Sequence, residues 1–156
     1  MESTVLSVKY IDLYLELEIT MAMLYQRFEK RYADHKDFWI SLIADEHEHA
    51  GYINFHDLNA LNKVSFAEGK TRIAALQSIL AYINSLIDEF DKQPFLFQKA
   101  ISICLDLERS VIERDVFKRF DSDSTELRQL LDILRQAQEE HVHKIEKFNV
   151  MIQEKR

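Results

Sequence analysis

Two stretches of the chain place carboxylates and imidazoles within helical reach of each other: "ADEHEHAGYI" at 44–53 and "AQEEHVHKI" at 137–145. A glutamate and a histidine three residues apart share one face of a helix and can aim at a single cation. Oxygen and imidazole donors suit iron and manganese in their common oxidation states. Metal coordination is therefore the chemistry these residue types offer. The single cysteine, Cys104, excludes an intrachain disulfide and any metal site built from cysteines alone.

Each stretch holds two histidines two positions apart, which on a helix point in nearly opposite directions. With about 100° per residue and Leu127 at zero, His141 falls near 320°, His143 near 160° and Glu140 near 220°. Leu134, Ala137, Ile145 and Phe148 share the arc of His141, so His141 faces inward and His143 faces solvent. The tempting pair Glu140 and His143 is a decoy. On the other stretch Glu46 and His49 both face inward and His47 outward. The inward pair equivalent to Glu46 and His49 is then Gln138 and His141.

Helices must position these groups, and the apolar spacing is helical nearly throughout. Two Gly and one Pro in 156 residues leave few turns, which disfavours hairpin-rich β folds. The spacing predicts helices over about 4–32, 34–63, 70–91, 94–120 and 124–153. Asp34 is the expected N-cap of the second, and Asp123 with Glu126 the expected capping box of the last. The stretch "SFAEG" should break the pattern before the third helix. Pro94 suits the first turn of the fourth. No linker or second domain is visible, so residues 1–156 read as one all-α domain.

Three apolar stripes carry a glutamate near their middle: Glu18, Glu46 and Glu108. A buried carboxylate without a counter-charge costs several kcal/mol or becomes neutral. Packed side by side, these helices would gather the three carboxylates, Gln138 and two imidazoles in one layer. Glutamates on two helices with Glu-x-x-His pairs on two others form the shell of a di-iron or di-manganese four-helix bundle. Glu46 follows Glu18 by 28 residues and Gln138 follows Glu108 by 30, so the chain reads as two helical hairpins. The third helix, about 20 residues and ~30 Å long, would carry the chain back along the bundle. The second and fourth helices would then run parallel, the ferritin-like four-helix arrangement with an extra helix in the crossover.

The stretches "ELEITMAMLYQRF" and "FWISLIADEHEHAGYI" resemble the first hairpin of the rubrerythrin branch of the ferritin-like superfamily. "CLDLERSVIERDVF" and "ILRQAQEEHVHKI" resemble its second hairpin more loosely. The resemblance implies Glu18, Glu46, His49, Glu108 and His141 as metal ligands, with Gln138 a weaker one, and Tyr25 as the tyrosine beside the metals. It implies two iron ions, with manganese as the alternative, reacting with dioxygen or peroxide and drawing electrons from an external donor. Two positions depart from that family: Gln138 replaces its last-helix glutamate, and Val111 replaces its extra carboxylate. The paired cysteines of a rubredoxin-type module are also missing.

A net charge of −7 disfavours nucleic acid as a partner. The chain lacks a signal pattern and any run of about 18 apolar residues, so a soluble cytoplasmic protein without a membrane partner is expected. The apolar stripe of the third helix suggests a homodimer. Cys104 and Tyr14 face inward as core residues, and His56 sits at a stripe edge. The rival reading is a structural or interaction bundle whose site has decayed to one metal or none.

Overall fold

In a computed structural model of the chain, the backbone is described for residues 2–54, 66–114, 116–119 and 124–155. Side chains are described for 9–53, 70–114, 116–119 and 124–155. Five α-helices occupy these segments: α1 (Glu2–Arg31), α2 (Lys36–Asn54), α3 (Phe66–Lys92), α4 (Phe97–Glu113) and α5 (Thr125–Glu154). A 3-10 turn, Ala33–His35, precedes α2, and no strand occurs among the described residues. The chain is thus all-helical, with its helices packed around a shared core. No described helix is long and apolar enough to cross a membrane.

Several helix ends differ from the sequence expectation. Asp34 lies inside the 3-10 turn and is not the cap of α2. Helix α3 already begins at Phe66; Gly69 falls in its first turn, where a helix tolerates the loss of side-chain support most easily. Pro94 lies outside α4, which is entered through Leu96 in an extended conformation (ψ 150°). The hydroxyl of Ser124 caps α5 by accepting from the Leu127 amide at 3.1 Å. Glu126 therefore stands one position short of a capping box with it. Asp123, Phe120, His56 and the stretch from Phe55 to Ser65, where the second helix was expected to continue, lie outside the described residues.

Helix α4 stops at Glu113 instead of running toward 120, because a continued helix would turn Phe117 about 180° away from Glu108. Leaving the helix lets Phe117 fold inward, where its ring meets Tyr14 edge-on at 5.9 Å. Val116 and Phe117 are both buried as a result. Glu108 therefore lies in the second half of its helix, past the middle of α4.

Side-chain pairs fix the helix directions. Glu18 meets His49 while Tyr25 meets Trp39, so α2 runs antiparallel to α1. Tyr14 meets Phe117 and Tyr32 meets Phe97, which sets α4 antiparallel to α1 as well. On α2 and α5, Phe38 stacks on Phe148 and His49 meets His141, again antiparallel. The C-terminal turns of α1 and α3 lie together through the Arg27–Asp91 ion pair and the Phe28–Phe90 ring contact, making these helices parallel. Hence α2 and α4 run parallel to each other, and α3 returns the chain between them.

The stripe of α3 is spent within the chain. Ile73, Leu76, Ile83, Ile87 and Phe90 are buried in the common core. Two aromatic layers bracket the middle of the bundle. Phe28, Trp39, Tyr25 and Phe90 interlock toward the α1–α2 turn. Tyr10, Tyr14 and Phe117 close the opposite side. Each such side chain contributes about 1.5–3 kcal/mol on burial. Together they flank the polar layer on two sides.

Candidate metal centre

Between those layers α1, α2, α4 and α5 each deliver polar side chains to one place. Glu18, Glu46, Glu108, His49, Gln138 and His141 are all between 0 and 4% exposed. The sequence-based inward assignments hold at every one of them, and His47, Glu140 and His143 are exposed. Each inward residue owes its direction to the apolar stripe that its helix buries.

Glu46 is the centre of the arrangement. Its Oε2 lies 3.9 Å from His49 Nδ1, and its Oε1 lies 3.2 Å from His141 Nδ1. Glu18 Oε2 approaches the first imidazole at 3.5 Å, and Glu108 Oε2 approaches the second at 3.7 Å. The site therefore has two similar halves: Glu18 with His49 on one side, Glu108 with His141 on the other, and one Glu46 oxygen facing each.

These contacts are close without being hydrogen bonds. Glu18 Oε2, both oxygens of Glu46, His49 Nδ1 and both ring nitrogens of His141 have no hydrogen-bond partner in the protein. Buried polar atoms are almost always paired, and each orphan costs about 1–3 kcal/mol. Ligand atoms of Glu46, His49 and His141 lie within 4.8 Å of one another. A divalent ion with bonds of about 2.0–2.2 Å spaces opposed donors by roughly 4.4 Å, so shifts of a few tenths of an ångström would close the shell. The donor set fits a hard-to-borderline cation such as iron or manganese.

Without a cation the layer manages its charge with protons. Burial, then the carboxylates of Glu108 and Glu18, push the Glu46 carboxyl well above its ordinary range. Burial alone would also raise Glu18, but Glu46, His49 and the neighbouring Tyr14 outweigh it and hold Glu18 low. Burial would lower His49, yet Glu18 beside it keeps the imidazole above its usual value.

Glu108 is differently furnished. Tyr25 donates its hydroxyl to Oε1, and Gln138 donates its amide to Oε2 and, at 2.9 Å, to the Glu108 backbone carbonyl. Gln138 thus orients the Glu108 carboxylate through its amide N–H. The Cys104 thiol reaches the Tyr25 hydroxyl at 3.4 Å. Burial first, then Glu108, raises the thiol well above its ordinary value, and burial, then Cys104 and Glu108, does the same to the phenol, so both stay protonated. Val111 packs in the core one turn beyond Glu108. Tyr14 is fully buried against Glu18 with no partner for its hydroxyl.

Sequence reasoning passed over Asp45. Its Oδ2 lies 3.9 Å from His141 Nε2 and accepts from Lys144 Nζ at 2.7 Å. Nothing in the helical pattern marks it, because it lies on the flank of α2 and gains its role only from the partner helix.

The fold and site together define an all-α bundle with a buried glutamate–histidine cluster assembled from four helices. No protein-family model matches the chain, and neither a curated protein nor a solved structure matches it.

Proposed function

We propose that the protein is a ferritin-like di-metal carboxylate protein that binds two iron or manganese ions and reacts with dioxygen or peroxide. The observation that carries this reading is the convergence of five buried atoms without hydrogen-bond partners: Glu18 Oε2, both Glu46 oxygens, His49 Nδ1 and His141 Nδ1. Cations in this layer would give these oxygens and Nδ1 atoms the partner the protein does not. The parallel course of α2 and α4 with a returning helix between them also supports the ferritin-like arrangement.

In this reading Glu18 and His49 would hold one ion, Glu108 and His141 the other, with Glu46 available to both. Bound iron would supply electrons to an oxygen substrate, with an external donor restoring them. The chain's own residues do the rest. The two aromatic layers wall the site above and below, and Gln138 and Tyr25 fix the Glu108 carboxylate. Glu46 gives up its proton when a cation takes its place.

Anaerobic titration of metal-free protein with Fe(II) or Mn(II) tests the proposal. About two equivalents should bind per chain, and the double substitution Glu46→Ala with His49→Ala should abolish binding. No binding ends the reading. A single equivalent would favour the rival, a degraded one-metal site, for which the neutral Gln138 amide on Glu108 is the specific argument. If Glu46→Met raises stability and leaves bound metal unchanged, the layer is structural, since apolar replacement of buried charge is often stabilising by about 1–4 kcal/mol.

A further inference from the structure

A cavity of about 180 Å³ lies between α2 and α5, lined by Asp45, Glu48, His49, Glu140, His141 and Lys144 among others. Its lining runs from the exposed carboxylates of Glu48 and Glu140 to the buried rings of His49 and His141. One space therefore joins the surface to the metal layer. The unpartnered nitrogens His49 Nδ1 and His141 Nε2 belong to its inner wall residues, both at least nine-tenths buried.

We infer that this cavity is the route by which divalent cations reach the site, and that the Lys144–Asp45 ion pair is its gate. The inference rests on the metal-binding reading above. Three carboxylates and one ammonium give the passage a net negative lining, and an acid-lined cleft between low-dielectric walls concentrates cations. Lys144 is the one lysine or arginine among the lining residues, held at 2.7 Å by the Asp45 oxygen that also lies 3.9 Å from His141 Nε2. While that pair stands, the ammonium repels an incoming cation and occupies the innermost carboxylate ahead of the ligands. When Lys144 swings toward solvent, where its side chain is already 39% exposed, Asp45 is freed to hand the ion inward.

Glu48 and Glu140 are engaged only locally, with Tyr52 at 2.8 Å and Gln136 at 3.2 Å, within their own helices. Their replacement leaves the packed core untouched.

The test is the rate of Co(II) uptake by the full, metal-free chain, followed by visible absorption in a stopped-flow instrument, alongside the final stoichiometry. Glu48→Gln with Glu140→Gln should slow uptake about tenfold, toward the low end of electrostatic steering effects. It should also flatten the dependence on ionic strength, with the number of ions bound unchanged. Lys144→Met should speed uptake severalfold at the same stoichiometry. Unchanged rates in both variants, with normal final binding, overturn the route while leaving the metal-site reading intact. Failure of the unsubstituted chain to take up Co(II), Fe(II) or Mn(II) overturns both.

Discussion

Gln138 donates its side-chain amide to Glu108 twice over, to the carboxylate and to the backbone carbonyl of the same residue. A glutamate at that position would bring a second carboxylate against the first and offer no N–H to either acceptor. Gln138→Glu should therefore lower the stability of the metal-free protein by about 1–3 kcal/mol. In excess Mn(II) the order should reverse, because a fourth carboxylate adds both charge and a donor. Thermal melts with chelator and with Mn(II) check both signs. A variant that melts at the parental temperature in chelator contradicts the orienting role.

The protons held in the layer set a pH dependence. Glu46 is raised by burial and by Glu108 and Glu18. His49 is raised by Glu18 in spite of burial. A group whose folded value lies above its unfolded value stabilises the fold at low pH and loses that contribution as pH rises through the folded value. Metal-free stability should thus fall as pH climbs above the ordinary glutamate value of 4.5, and fall further above the ordinary histidine value of 6.5. The slope is at most about 1.4 kcal/mol per pH unit for each retained proton. Glu18 has the opposite sign, being lowered, but it acts only below about 4.5. Urea unfolding in chelator between pH 5 and 8 measures the slope, and a rising profile would sink the assignment. Added Mn(II) should stabilise more at the upper end, where no protons compete.

Tyr25 links Cys104 to Glu108 through its hydroxyl. Tyr25→Phe removes a donor from a buried carboxylate and an acceptor from a buried thiol. A loss of about 1–3 kcal/mol is expected, with each kcal/mol shifting the melting temperature by about 2–4 °C in a chain of this size. Metal stoichiometry should stay the same, since the phenol is held protonated and contributes no ligand. An unchanged melt, or loss of an ion, would show that the hydroxyl has another part.

Much of this layer was legible because period and residue type were read together. The wheel placed Glu46, His49 and His141 inward and set aside His143 and Glu140, since a stripe of leucines and isoleucines leaves only one direction for the residues between them. Helix ends were less legible. Ser124 and Asp123 are adjacent and both can cap, and only the geometry of the first turn selects Ser124. The early end of α4 depends on Phe117 finding Tyr14, a contact more than a hundred residues distant in sequence. The apolar stripe of α3 looked available to a partner because a sequence does not reveal which neighbour covers it. The hydrogen bonds of Gln138 to Glu108 carried no sequence signal, because they depend on where Glu108 lies. Asp45 carried no signal at all for the same reason.

The chain's single tryptophan, Trp39, is fully buried and lies 6.0 Å from the ring of Tyr25. Tyr25 in turn touches Glu108 through its hydroxyl. An indole so sheltered from water emits at the blue end of its range, and a paramagnetic ion arriving one side chain away drains that emission. If the proposed ions bind, Trp39 would serve as a fluorescent gauge of the layer's occupancy in dilute solution, without any label.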